Sequence, residues 1–311
     1  MGEVTASLRA AGLAKRSRSL RSLVESEAVF GYLLILPALV LIALLVAYPF
    51  FTAIHWSLTD AFVGRPGSFV GLNNFIDLFG SGIFRQALQN SIVFTVAAVA
   101  AKTAAGVALA LLLNKTLRFK KLFRGAILLP WVIPTALSTL AWWWMFDSLY
   151  SVVNWTLVNL GIVKTGFQWL SNPYLAMFCV ILVNVWRGLP FYAITILAGL
   201  VSIPKELYEA AQTDGAGTWS SFRHITLPML RPVLAVVVLF STIFTLSDFN
   251  IVFILTHGGP MNMTHLFGTL TYQIGIAGGK IGEGAAISLF LFPFLLAVVY
   301  LQLRMVKKEE F

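Results

Sequence analysis

Six predominantly apolar stretches divide the chain, at about 29–56, 87–113, 122–147, 174–200, 229–256 and 283–303, with polar or basic connectors between them. A helix needs about 20 mainly apolar residues to cross a hydrocarbon core of about 30 Å, so each stretch is long enough to span a membrane. The pattern predicts an all-α polytopic membrane protein with six transmembrane helices. The first stretch is too long for the core of a secretory signal and has no small-x-small cleavage site near its end, so an uncleaved helix is expected. No internal repeat is evident.

Composition agrees with the pattern. The 311 residues are 58% hydrophobic and 11% charged, whereas a soluble domain carries about a quarter charged residues. The net charge of +9 would suggest nucleic acid in a soluble protein, but the placement of the charge points elsewhere. Of the 22 Lys and Arg, sixteen lie on one side: before the first stretch, between the second and third or between the fourth and fifth (with Arg124 and Arg231 just inside the stretches that follow), or after the sixth. Four (Arg65, Arg85, Lys164 and Lys280) lie in the alternate connectors, and Lys102 and Arg187 lie inside spans. Basic residues gather on the cytoplasmic side, which places both termini inside the cell: a basic tail at 1–28 and a short one at 304–311. A lipid membrane, and no nucleic acid, is the expected partner. The single Cys179 lies in an apolar run, and the four His are scattered near ends and loops. No disulfide framework and no metal site is expected.

The connector between the fourth and fifth stretches is longer than a turn requires. Ser202 reads as a helix cap with Pro204 in the first turn, where its missing N–H does no harm. The helix runs through Ala211 and stops at Asp214-Gly215, because glycine tolerates the positive φ of a tight stop. Thr218 caps a second short helix holding Trp219, Phe222 and Arg223, and Pro228 and Pro232 mark entry into the fifth span. Two short helices about a glycine elbow make a knob suited to a groove on a partner. Ala210 and Ala211 permit close approach, Leu207 and Tyr208 offer apolar contact, and Glu209 accepts from a basic donor.

A bare Glu-Ala-Ala triplet is common on amphipathic connectors. Here Glu209-Ala210-Ala211 is followed after three residues by Gly215 and after nine more by Ile225-Thr226-Leu227-Pro228. That spacing resembles the cytoplasmic coupling loop of permease subunits in binding-protein-dependent ABC importers. The resemblance implies a type I ABC importer permease fold over residues 29–303, with a coupling loop at about 202–226. Leu207, Tyr208, Glu209, Ala210, Ala211, Asp214 and Gly215 would there meet a cleft on an ATPase subunit.

Three further segments resemble the carbohydrate branch of that family: Phe69-Val70-Gly71-Leu72-Asn73-Asn74-Phe75, Asn184-Val185-Trp186-Arg187-Gly188-Leu189-Pro190-Phe191, and Leu255-Thr256-His257-Gly258-Gly259-Pro260. The larger permease of maltose-type systems has extra N-terminal helices and a large external domain, which the short 57–86 loop does not provide. By resemblance, sugar contacts map to Asn184, Arg187, Gly188 and Phe191 in the fourth span, Ser241, Phe244, Thr245 and Asp248 in the fifth, and Trp131 in the third. An Arg at mid-span costs about 2.5–3.5 kcal/mol on insertion scales, so Arg187 should face the bundle interior or a wet cavity. Gly188 and Pro190 predict a break in the fourth helix. Asp248 is expected mid-span in the fifth, where an Arg187–Asp248 pair could hold the bundle, bind substrate, or both. With Lys102 also at mid-span, an acidic, uronate-type saccharide is the expected cargo. Trp142-Trp143-Trp144 reads as an interfacial aromatic belt.

The resemblance implies a second homologous permease, an ATPase dimer and an extracytoplasmic solute-binding protein as partners, and a bacterial inner membrane as location. The chain has no G-x4-G-K-[ST], so ATP and Mg would belong to the ATPase subunits. It is expected to bind no cofactor and to catalyse no reaction. Two alternatives stay open: a permease for another solute, such as a phosphorylated polyol, and an ion-coupled secondary transporter, which also uses mid-membrane charge and broken helices.

Overall fold

A computed structural model describes residues 27–115 and 118–307. The expected basic tail up to residue 26 and residues 308–311 of the C-terminal tail lie outside them. The chain forms two compact units, Met1–His55 and Trp56–Phe311. Apart from two isolated bridges, Thr59–Phe69 and Phe62–Arg65, the regular structure among the described residues is helical.

The first unit contributes most of α1 (Val29–Ser57), whose helix relaxes into a π-turn at Ala43–Ala47. None of its apolar window is buried. A helix that is apolar all round and uncovered is stable only in lipid or against another chain.

The second unit opens with a short amphipathic helix, α2 (Asn73–Gly80), tied down by Asn74, whose Nδ2 donates to the carbonyls of Ser57 and Thr59 at 2.7 and 2.8 Å. The spanning helices α3 (Gly82–Asn114) and α7 (Pro173–Ser202) share the most extensive helix–helix contact. Small residues make that contact possible. A Cβ on Gly106 would lie 2.5 Å from the Cβ of Tyr192, and Ala110 and Ala193 are fully buried nearby. Close backbone approach at small residues is how helices gain dispersion energy in lipid, where no hydrophobic effect drives them together.

The third span differs from expectation. It is a pair, α4 (Lys120–Val132) and α5 (Thr135–Met145), bent by 91°. The cause is Pro134: the residue before a proline is excluded from the α region, and Ile133 is extended at φ −67°, ψ 130°. Pro190 has the opposite outcome, for α7 runs through it unbroken, against the expected break. Pro190 is buried and α7 is packed by α3, α4 and α9, and neighbouring helices make such a proline tolerable in a membrane.

After α6 (Val152–Asn159) and α7 comes the connector helix α8 (Lys205–Thr213). Its N-cap is Pro204 rather than Ser202. Ser202 ends α7, and its hydroxyl donates to the Gly199 carbonyl at 2.8 Å. Asp214 is the C-cap and Gly215 turns the chain at φ +82°. The expected second short helix is not separate: α9 starts at Thr218 behind the N-cap Gly217, passes a π-turn at Phe222–Thr226 and continues to Leu246. The fifth span thus begins inside the connector. It then breaks at Ser247–Phe249 and resumes as α10 (Asn250–Leu255).

The Gly258-Gly259-Pro260 segment is a turn, as its residues predict. Asn90 Nδ2 clamps it by donating to the carbonyls of Asn262 and His265 at 3.0 and 3.1 Å. The chain closes with α11 (Phe267–Thr271), its π-helical continuation Tyr272–Ala277, and α12 (Ile281–Lys307). Among the described residues, five helices are long and apolar enough to cross a membrane, and the bent pair makes a sixth if counted as one span.

Because Gly106 seats Tyr192 with no spare room, Gly106→Val should destabilise the unit by about 2 kcal/mol or more. The check is its unfolding midpoint in detergent, which should fall while Gly82→Val, with open space around it, changes it far less.

Candidate functional site

The break in the fifth span follows from its polar residues. Side chains of Ser and Asp compete for backbone groups and favour caps over helix interiors. Ser247 is the C-cap of α9, and the carboxylate of Asp248 accepts from the Ile251 amide in the first turn of α10 at 3.2 Å through Oδ1. Asp248 therefore lies in a break, not in the middle of a continuous helix as expected.

A cavity of about 460 Å³ opens beside this break. Its wall contains Asn184, Arg187, Gly188 and Phe191 from α7, Ser241, Phe244 and Thr245 from α9, Asp248 from the break, and Trp131 from α4. All nine residues that the sequence nominates for substrate contact are therefore brought together. Trp131 and Phe191 stand 6.4 Å apart between ring centroids, tilted by 41°, and Phe244 stacks on Phe240 at 6.4 Å with its own ring 70% exposed. Aromatic faces beside polar groups suit a ligand with both C–H and O–H surfaces.

Six further lining residues were outside the expected set: Lys102, Thr135, Tyr192, Ser247, Phe249 and Asn250. Thr135 follows the Pro134 bend, and Ser247, Phe249 and Asn250 surround the break. The polar run Ser247-Asp248-Phe249-Asn250 in an apolar stretch was the available signal for the break. Lys102 was visible as a mid-span charge, but its distance from Arg187 was not.

That lysine is 4% exposed, and its ammonium donates to Asn184 Oδ1 at 2.9 Å and to Thr245 Oγ1 at 2.7 Å. Asn184 Nδ2 in turn donates to Asp248 Oδ2 at 2.9 Å. A buried charge must be paired or solvated, and this chain of bonds meets that demand across three elements. Of the alternatives left open for Arg187 and Asp248, the direct ion pair does not form: no N···O pair within 4 Å joins them, and Arg187 Nε is buried without a hydrogen-bond partner, as is the Ser241 hydroxyl. Gly188 leaves room for the lysine, since a Cβ there would lie 2.7 Å from Lys102 Cδ.

The connector presents a different surface. Glu209, Ala210, Asp214 and Gly215 are exposed, Leu207 is 42% exposed, and Ala211 is half-buried. Tyr208 instead turns inward, with its hydroxyl 2.9 Å from Thr226 Oγ1, and so ties α8 to α9 rather than offering a free apolar contact. Of the tryptophan run, Trp143 and Trp144 are exposed as a belt would be. Trp142 stacks on Phe146 at 5.4 Å and meets Trp186 edge-on at 5.5 Å, so it belongs to the packed interior.

Residues 102–308 match the family described as the binding-protein-dependent transport system inner membrane component. The chain belongs to that family. Among curated relatives it is 35% identical over 289 residues to the trehalose/maltose transport system permease protein MalF of Thermococcus litoralis, covering 91% of this chain and 96% of that one. It is 32% identical over 286 residues to the sulfoquinovosyl glycerol transport system permease protein SmoG of Agrobacterium fabrum, covering 91% and 92%. In structure it resembles a subunit of a bacterial ABC transporter involved in the import of the acidic polysaccharide alginate, with a TM-score of 0.79, 22% identity and 94% and 99% coverage. The chain is thus a multi-pass permease with the ABC importer permease fold, a non-catalytic membrane component as the sequence implied.

Widening Gly188 should push the lysine stem out of its seat. Gly188→Val is expected to cut solute uptake about ten-fold, since overpacking costs about 1–3 kcal/mol, with recovery of the permease from membranes unchanged. Uptake by membrane vesicles against permease content measures both.

Proposed function

We propose that this permease forms half of the translocation path of an ATP-driven saccharide importer and that its saccharide carries an acidic group. Saccharide transport is supported by the two relatives above, both named for sugar-containing solutes and matched over nine-tenths of this chain. The observation that carries the acidic reading is the state of Arg187: a guanidinium on the cavity wall, its Nε buried and unpartnered, with the one acid of that wall bonded elsewhere. Guanidinium groups bind carboxylates through paired, charge-assisted hydrogen bonds, and the cavity holds two cations, Lys102 and Arg187, against Asp248. A phosphorylated polyol would present a similar anion, so both belong in the same assay.

The exposed Glu209–Gly215 surface supports the second half of this reading. It is a compact projection set between the two helices that carry most of the cavity, α7 and α9, and suits docking to an ATPase subunit on the cytoplasmic side. The complement of this half would be a second homologous permease. A solute-binding protein would deliver cargo from outside, and both termini of this chain would lie in the cytoplasm, as the basic residues indicate.

Reconstitution with the second permease, the ATPase and the binding protein should give ATP-dependent uptake of a uronate oligosaccharide, not displaced by neutral oligosaccharides of the same length. Arg187→Gln should lower that uptake by about 10- to 100-fold, the loss of one charge-assisted contact of about 1.5–3 kcal/mol. Import restricted to neutral sugars overturns the acidic reading, and preference for a phosphorylated polyol replaces it.

Gly215 has open space around it but a positive φ, so Gly215→Val strains only the backbone, by about 1–2 kcal/mol. Together with Glu209→Ala it should separate ATP hydrolysis from uptake while the binding protein keeps its affinity for sugar. Unchanged coupling ratios in both variants would remove the docking role.

A further inference from the structure

Lys102 and Asp248 carry opposite charges, yet no direct contact joins them. Asn184 stands between, and its orientation is forced by chemistry. A lysine ammonium only donates hydrogen bonds and a carboxylate only accepts, so the amide must turn its oxygen to Lys102 and its nitrogen to Asp248, as observed at 2.9 Å on each side. With Oδ2 taken by Asn184 and Oδ1 by the Ile251 amide, both carboxylate oxygens are engaged. Asn184 is likewise engaged at both ends of its amide, which makes it a bridge between the two charged groups.

The consequence falls on Arg187. A guanidinium and a carboxylate lining one low-dielectric cavity attract strongly. Even so, among the described residues Arg187 makes no ion pair. Lys102 is seated against Gly188, one position along α7 from Arg187, and holds Thr245 as well at 2.7 Å. It anchors both flanks of the break, Thr245 at the end of α9 directly and Asp248 at the start of α10 through Asn184.

We propose that Lys102 is a positioning and specificity-determining residue of the transport site: by holding Asp248 through Asn184 it keeps that carboxylate off Arg187 and leaves the guanidinium open for the acidic group of the cargo. This rests on the acidic-saccharide reading above. It makes a prediction that a purely structural lysine does not, namely that removing its charge raises the KM for an acidic cargo while sparing a neutral one, and that removing the charge it restrains restores that KM.

The test uses the reconstituted complete importer and a uronate oligosaccharide as probe, with a neutral oligosaccharide in parallel wherever it is a substrate. Wild type is measured first, and import of neutral sugars alone at this step overturns the substrate reading and this inference with it. Given acidic import, Lys102→Met frees Asp248 to pair with Arg187. The apparent KM for the uronate should rise about ten-fold or more, with a much smaller change in kcat or in any neutral-sugar uptake. Lys102→Met/Asp248→Asn should return KM to within about three-fold of wild type, a strongly non-additive cycle. If Lys102→Met does not assemble, Lys102→Gln with and without Asp248→Asn gives the same comparison. A double variant as impaired as the single one, or a single variant with unchanged KM, overturns the role of Lys102 while leaving the substrate reading intact.

Discussion

Polar groups in hydrocarbon need partners, because water is not there to supply them, and the centre of this permease is arranged around that demand. The fifth span breaks at Ser247–Phe249, which exposes backbone amides at the start of α10 and would be untenable against lipid. Asp248 meets the Ile251 amide, and its own charge is met through Asn184 by Lys102. That lysine in turn comes from α3, the helix packed most closely on α7. The α3–α7 contact at Gly106 and Tyr192, the seat at Gly188, the break and the cavity are therefore linked. Loosening the first would misplace the cation that supports the rest.

The same demand explains why the cavity sits where it does. Irregular backbone at membrane depth is tolerated where it is buried in protein or lines a wet space, and here it does both. On the far wall Pro134 bends the third span by 91° and brings Trp131 and Thr135 to the cavity. Two local disruptions, one made by a proline and one by a run of side chains that compete for backbone bonds, thus border the same cavity.

Much of this could be read from the chain alone, and the failures share a cause. Span number and approximate limits follow from length and apolarity, and the nine cavity residues follow from motif resemblance with mid-membrane charge. The stop at Gly215 follows from a residue type with one strong conformational meaning. Pro134 and Pro190 are indistinguishable as letters. One breaks its span because the residue ahead of it, Ile133, is extended, and the other is carried through because α3, α4 and α9 surround it. Ser202 was misassigned for a similar reason, since a hydroxyl can cap a following helix or bond back into its own, and Tyr208 turns inward to a partner eighteen residues away. The three-residue path from Lys102 to Asp248 joins positions 82 and 64 apart in sequence, a distance that no local pattern encodes.

Continuity between connector and cavity gives the proposed coupling a mechanical route. The expected separate helix at Thr218 turned out to be the first turns of α9, which runs 29 residues to Leu246, or about 44 Å at about 1.5 Å per residue. Its connector end is bound to α8 by the Tyr208–Thr226 contact, and its other end carries Ser241, Phe244 and Thr245 into the cavity wall. On the opposite side α7 ends at Ser202, two residues before the cap of α8, and carries Asn184, Arg187, Gly188 and Phe191. A partner that displaced the Glu209–Gly215 knob would thus push on two long helices at once, and the Lys102 network is one of the places where those helices are tied together. Motion at the connector must either preserve that network, moving α3, α7 and α9 as one body, or break it and change the charge presented to the cargo.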